Sequence, residues 1–271
     1  KSPYMEMLPE YASEAGLNCI DALAHDPDIV NALGAQPNAR LFIDFIKKGL
    51  MDYVPYGHQV KMLKEAFVQG NNTVITSGTG SGKTESFLLP LFAQIFKEAL
   101  SWPRPNYTHS ADWYTVNPYM PCQREGEVRP AALRAIVLYP MNALVEDQVR
   151  RLRKALDSDA VRALMDDPKN GLNGNRIFFG QYNGSTIGQK SYGLLQQEGR
   201  KLAAAQQKIN DGLDKLLQKY QTITAQTNSQ DNEYITSRLN GQTSSEMVTR
   251  WDMQNFPPDI MITNVSMLSI M

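Results

Sequence analysis

Eight residues carry the strongest chemical signal in this sequence: Ser77-Gly78-Thr79-Gly80-Ser81-Gly82-Lys83-Thr84. They match the pattern G-x-x-x-x-G-K-[ST], with Ser77 where the first glycine usually stands. Glycines at 78, 80 and 82 let backbone N–H groups turn inward around phosphate oxygens with no Cβ in the way. A helix starting near Thr84 adds the positive end of its dipole. In such a loop the lysine reaches the β- and γ-phosphates and the hydroxyl that follows ligates Mg²⁺. Lys83 and Thr84 are therefore the candidate catalytic residues, and Thr84 is the candidate metal ligand. ATP and Mg²⁺ are the expected cofactors. Gly78, Thr79, Gly80, Ser81, Gly82 and Glu85 complete the expected phosphate cradle. A predicted strand, Thr73 to Thr76, precedes the loop, and a predicted helix, about Thr84 to Leu100, follows it.

Many folds share such a loop, and three further segments narrow the choice. Tyr56-Gly57-His58-Gln59 ends 24 residues before Lys83. A glutamine amide donates and accepts together, which suits adenine N6 and N7; the plain alternative is a glutamine at an exposed helix start. Leu138-Tyr139-Pro140-Met141-Asn142-Ala143-Leu144, with Gln148 beyond it, is a strand running through a proline turn into a helix, and a helix N-terminus suits a phosphate. Gly180-Gln181-Tyr182-Asn183-Gly184-Ser185-Thr186 and Pro258-Asp259-Ile260-Met261-Ile262-Thr263-Asn264-Val265-Ser266-Met267-Leu268 both put small polar residues at the C-terminal end of a strand, where open α/β sheets bind ligands.

Taken in order, these segments resemble those of superfamily 2 DEAD/DEAH-type helicases, and the resemblance covers roughly residues 50 to 271. Tyr139 to Gln148, and Arg250-Trp251-Asp252-Met253-Gln254 leading into Pro257-Pro258-Asp259, are similar to large bacterial helicases of anti-phage defence systems of the DISARM and Druantia type. The resemblance implies that Gln59 reads adenine. It also implies that Pro140, Met141 and Asn142, then Gly184, Ser185 and Thr186, then Thr263 and Asn264, hold a nucleic-acid backbone, DNA in preference to RNA. The departure is Met141-Asn142, where relatives carry a threonine. No apolar strand ending in Asp-Glu is present; Glu146-Asp147 falls inside a predicted helix. The expectation is therefore an incomplete first RecA-like domain. Its Asp-Glu box, its second RecA-like domain and any defence-system partners lie outside this chain, and the segment alone is expected to be inactive. Two other readings use the same loop: a non-catalytic nucleotide-binding scaffold, and a small-molecule phosphotransferase.

The elements that must position these residues follow from hydrophobic spacing. Ala135 to Tyr139, Arg176 to Phe179 and Ile260 to Thr263 are short apolar strands, and Val145, Val149 and Leu152 line one face of a helix from Ala143 to Leu156. Strands alternating with helices indicate an α/β fold with a doubly wound parallel sheet, here an incomplete RecA-like P-loop domain. Residues 1–50 read as a helical N-terminal segment and 51–271 as the ATPase domain. Within it, 189–250 read as a helical insertion, where Leu195, Leu202, Ile209, Leu216 and Ile223 recur every seven residues. The companion seam is poor, which favours a long helix or helical hairpin lying on the domain over a partner-binding coiled coil. Residues 101 to 130, rich in proline, read as a functional or mobile loop.

Composition adds limits. The chain has 271 residues, is 42% hydrophobic and carries a net charge of -1, so global charge does not advertise a nucleic-acid binder. Cys19 and Cys122 are too few for a disulfide framework and read as reduced thiols of a cytoplasmic protein. No apolar run is long enough to span a bilayer, and no membrane partner is expected.

Overall fold

The computed structural model describes residues 12–13, 17–76, 78, 80–106, 113–140, 142–197, 200–226 and 244–270. They fall into two compact units, Lys1–Glu98 and Ala99–Met271. Thr79 and Met141, both expected site residues, lie outside the described residues, as does Ser77.

The first unit is helical. A 3-10 turn, Ile20–His25, leads to α1 (Pro27–Leu33), α2 (Gln36–Gly49), α3 (Gly57–Leu63) with a π-helical turn after it, and α4 (Lys83–Ala99). Pro at the first turns of α1 and α2 costs no hydrogen bond, and the Asp26 carboxylate caps α1 by accepting from the amides of Asp28 and Ile29. The apolar face of α2 meets α4 through aromatic pairs. Phe42 lies 5.5 Å from Phe96, and Phe45 lies 5.5 Å from both Phe92 and Phe96. Each such pair adds roughly 0.5–1.5 kcal/mol beyond its buried area. The N-terminal helices thus brace the helix that carries Lys83. Pro90 is accommodated inside α4.

Thr73 to Thr76 corrects the sequence reading. The run is not a strand, and Val74 is 90% exposed. β propensity at a half-apolar run cannot by itself make a ladder, and among the described residues no strand pairs with it.

The second unit holds one parallel sheet. Its strands are β1 (Ala135–Tyr139), β2 (Phe179–Tyr182), β3 (Glu246–Met247) and β4 (Ile260–Asn264), in the order β1-β4-β2-β3. Between them run α5 (Asn142–Asp157), α6 (Asp159–Asp166), α7 (Tyr192–Gln196), α8 (Arg200–Gln226) and α9 (Arg250–Asn255); α10 (Val265–Leu268) follows β4. Helices lie on both faces of β2, whereas at the edge strand β1 Ile136 and Leu138 are exposed. Gln181 reaches Glu146 of α5 on one face. On the other, a Cβ at Gly180 would sit 2.5 Å from the sulfur of Met253 in α9, which is why this strand position is a glycine. Val145, Val149 and Leu152 of α5 are fully buried, as their spacing requires.

Three details differ from the sequence reading. β2 begins three residues later than Arg176, whose carbonyl accepts from the Arg129 guanidinium and whose side chain pairs with Asp166 of α6. Glu246–Met247 and α9 lie in or overlap the stretch expected to be helical insertion, yet β3 pairs with β2. A two-residue strand is too short to carry a period-2 signal. The residue 101–130 loop is anchored: Tyr119 and Arg124 are buried. The long helix α8 lies on the unit through Ile209 and Leu213, which pack with Leu195, Tyr119 and Trp251.

Candidate functional site

In the first unit the phosphate loop is built by backbone conformation and held from α3. Gly80 and Gly82 have φ of 77° and 72°, left-handed values that an L side chain resists. Lys83 and Thr84 open α4, so their side chains and the free helix amides share one terminus. Lys83 Nζ donates to the Gly78 carbonyl at 2.6 Å, which lays the ammonium across the loop. An ammonium and a hydroxyl at a helix N-terminus are groups whose chemistry suits a phosphate. Thr84, the residue expected to ligate Mg²⁺, stands in the first turn of α4 with Glu85 next to it.

Gln59 is fully buried. Its Oε1 accepts from the Tyr56 amide at 2.9 Å, and its Nε2 donates to the Gly82 carbonyl at 3.2 Å. Its neighbour His58 places Nε2 2.8 Å from the Ser81 carbonyl, with its ring stacked on Tyr56. Tyr56-Gly57-His58-Gln59 therefore grips two consecutive loop carbonyls. The amide expected to face adenine is committed at both ends to backbone. The fit is tight: a Cβ at Gly82 would lie 2.4 Å from Gln59 Nε2.

In the second unit the register brings the other expected residues to one edge of the sheet. Tyr139 pairs with Asn264, and Tyr182 with Thr263. The Pro140 turn, the Asn183–Thr186 turn and the β4–α10 junction consequently emerge side by side at the C-terminal ends of their strands, and α5 starts at Asn142 on that edge. The side chains have different uses. Gly184 and Ser185 are exposed, and nothing lies within 4 Å of a Cβ at Gly184. Asn183, buried, shapes the turn through Oδ1, which accepts from the Ser185 amide and hydroxyl. Thr186 Oγ1 donates to the Gln181 carbonyl and accepts from the Asn183 amide. Thr263 is buried, and its hydroxyl ties β4 to β2 by donating to the Tyr182 carbonyl at 2.6 Å. Asn264 caps α10 by accepting from the Met267 amide. Thr263 and Asn264 thus set the edge from within, and Gly184 and Ser185 present it.

Two buried hubs, Asp259 at the opposite, N-terminal end of β4 and Asp252 in α9, were not read as functional from sequence. Asp259, fully buried, takes two hydrogen bonds from Arg129 and one each from Arg134 and the Phe178 amide, all at 2.7–2.8 Å. Arg129 also stacks over Trp102, 3.4 Å from the ring centroid. Asp252 accepts from the amides of Cys122 and Gln123 and from the hydroxyls of Tyr119 and Thr249. Burial pushes the Asp252 carboxyl up from its ordinary value, and the Thr249 and Tyr119 hydroxyls pull it back. Arg250 donates to the Asn183 carbonyl and lies over the Tyr182 ring, so α9 holds the Asn183–Thr186 turn. The signal available in sequence was the run Arg250-Trp251-Asp252, charged residues flanking a tryptophan. Cys122 is a free thiol that burial pushes up to about 12.

A glycine-rich loop opens a helix in one unit, a parallel sheet carries turns at one edge in the other, and comparison with known proteins gives the family. The DEAD/DEAH box helicase family matches residues 56–234, and the chain belongs to it. The chain is also similar to the Druantia protein DruE of Escherichia coli (strain UMEA 4076-1), 31% identical over 251 residues, which is 80% of this chain and 12% of that protein. No solved structure matches. Among the described residues no helix is long and apolar enough to cross a membrane.

Proposed function

We propose that this chain is the front part of an ATP-driven nucleic-acid helicase or translocase of the bacterial cytoplasm, working in anti-phage defence. Residues 51–271 act as its first RecA-like domain, with 189–250 inserted. Lys83, Thr84, Glu85 and the amides from Gly78 to Gly82 bind the phosphates of ATP, with Mg²⁺ on Thr84. The loops at Pro140–Asn142, Gly184–Thr186 and Thr263–Asn264 hold the nucleic-acid backbone, DNA in preference to RNA. The observation that carries this reading is the phosphate loop: two left-handed glycines, Gly80 and Gly82, leading into Lys83 and Thr84 at the start of a seventeen-residue helix. Similarity to DruE supports the defence setting. When bound, the metal would neutralise developing phosphate charge; the chain's own part is to hold and orient the nucleotide.

The chain by itself lacks an Asp-Glu box, so we expect it to bind ATP and not turn it over. The test titrates a fluorescent ATP analogue into the chain and follows phosphate release. Lys83→Ala is expected to weaken binding about 10- to 150-fold, from a charge-assisted contact worth roughly 1.5–3 kcal/mol. Unchanged binding in Lys83→Ala would overturn the phosphate-loop assignment, and turnover near 1 s⁻¹, a rate typical of working phosphotransfer enzymes, would overturn the expected inactivity.

A further inference from the structure

A cavity of about 470 Å³ opens between the Ser185–Thr186 turn and α8. Its apolar wall includes Ile187, Ile209 and Trp251, and three lysines line it: Lys190, Lys201 and Lys208. No acidic residue lines it. Its size falls in the range that takes a small organic ligand. An apolar floor with a purely cationic set of charges fits a group that is flat and apolar on one side and anionic on the other, which is the chemistry of one nucleotide unit.

The helix extends this chemistry beyond the cavity. Lys201, Lys208 and Lys215 recur every seven residues on α8, with Lys219 one turn further, so the four lie in one stripe. All four are exposed, as is Ala204; Ala205 and Gly212 also lie on this face and keep it low, so a chain can approach closely between the lysines. From Lys201 to Lys219 the helix rises about 27 Å, at 1.5 Å per residue. That length exceeds what a free mononucleotide can touch and suits a polymer with repeated phosphates. A base enters an apolar cavity only when it is unpaired and unstacked.

We propose that α8 and the Ser185–Thr186 turn form a binding track for single-stranded nucleic acid, one nucleotide of which seats its base in the cavity. Lys201 and Lys208 take the flanking phosphates, and Lys215 and Lys219 continue the path. This inference rests on the proposal that the strand-end turns hold nucleic acid, and it assigns the insertion a part in that grip.

The test measures fluorescence anisotropy of a labelled single-stranded oligonucleotide with the whole chain across a salt series. Each single-strand phosphate contact contributes about 0.7 to the slope of log affinity against log salt. Lys201→Gln with Lys208→Gln is expected to lower that slope by about 1.4 and weaken binding about 10- to 30-fold at 0.1 M salt. The control, Lys154→Gln with Lys169→Gln, removes the same charge elsewhere and is expected to leave the slope unchanged. Ala204→Trp, at an exposed position, fills the cavity and is expected to weaken binding about tenfold without changing the slope; thermal melts check that each variant folds. Unchanged affinity and slope in the α8 variants, while Ser185→Glu weakens binding, would overturn the cavity track and leave the turn's role standing. A chain that binds no single strand would overturn both. Equal losses for a duplex of the same length, or capture of a free mononucleotide as tight as that of the oligonucleotide, would overturn the single-strand assignment.

Discussion

Replacing Gln59 with alanine separates two ways in which this residue could serve ATP. In the structure its amide oxygen receives the Tyr56 amide at 2.9 Å and its amide nitrogen binds the Gly82 carbonyl at 3.2 Å, in full burial. Alanine leaves the Tyr56 amide without its partner, at a cost of about 1 kcal/mol. The Gly82 carbonyl keeps the amide and hydroxyl of Ser86, so that loss is smaller, roughly 0.5 kcal/mol. Losing the buried side-chain atoms adds roughly 1–2 kcal/mol of packing. The sum is about 3 kcal/mol, which lowers the melting temperature by roughly 6–12 °C. Because the damage falls on the loop backbone, ATP and GTP should lose affinity by the same factor, within about twofold. Titrations of fluorescent ATP and GTP analogues, run well below the melting transition, read that ratio. Direct reading of adenine would instead cost ATP alone roughly 1–3 kcal/mol, the range of a bidentate amide–base pair. A variant that keeps its melting temperature and loses only ATP would refute the structural account. Gly82→Ala is an independent check, since its Cβ would collide with the same amide nitrogen.

Two further substitutions probe the second unit. Asp259→Asn removes a buried charge facing Arg129 and Arg134 and should cost about 3–5 kcal/mol, seen as a lowered denaturation midpoint with nucleotide affinity intact; an unchanged midpoint would show that the cluster is not under load. Burial pushes the Asp157 carboxyl from 3.8 to about 6, partly opposed by the Ser245 amide that it accepts from. A raised folded value means the folded state holds the proton more tightly, so this group's contribution is full below pH 3.8 and is lost as pH rises through about 6. The cost at neutral pH is about 3 kcal/mol. Asp157→Asn is therefore expected to raise the midpoint at pH 7 and flatten its pH dependence between 4 and 6; a variant less stable at pH 7 would contradict the sign.

What could be read from the sequence was what local spacing encodes. β1, α5 and β4 stood within a residue of their expected bounds, because each is a run whose apolar period survives without knowledge of its neighbours. The phosphate loop was legible because glycine, lysine and threonine at fixed offsets state a backbone conformation directly. Thr73 to Thr76 failed for the converse reason: a strand exists through its partner, and periodicity cannot supply one. The Asp259 and Asp252 hubs were hidden because Arg129, Tyr119 and the amides of Cys122 and Gln123 lie more than a hundred residues away in sequence, in a proline-rich stretch with no period to mark it.

The same comparison explains why several polar residues singled out for ligand contact turn out to point inward. Gln59 faces Gly82, Thr263 faces Tyr182, and Thr186 faces Gln181; each gives a hydrogen bond to backbone next to a loop. Loops are costly to hold still because each ordered residue loses roughly 1–2 kcal/mol of backbone entropy. Tying them down with buried side chains offsets that cost before a ligand arrives, and what stays on the outside is small: Gly184, Ser185 and a row of backbone groups at one sheet edge. An edge of this kind has few side chains that could distinguish one base from another. It suits contacts with a repeating phosphate chain, which need position more than identity. Sequence preference, where the whole protein shows any, should then come from elsewhere than these three turns. In the second unit the cavity under α8 offers an apolar pocket to a base. If the proposed track is correct, substitutions at Gly184 or Ser185 should weaken all sequences alike, whereas Ala204→Trp should weaken purine-rich strands most, because the larger base has the most to lose from a filled pocket.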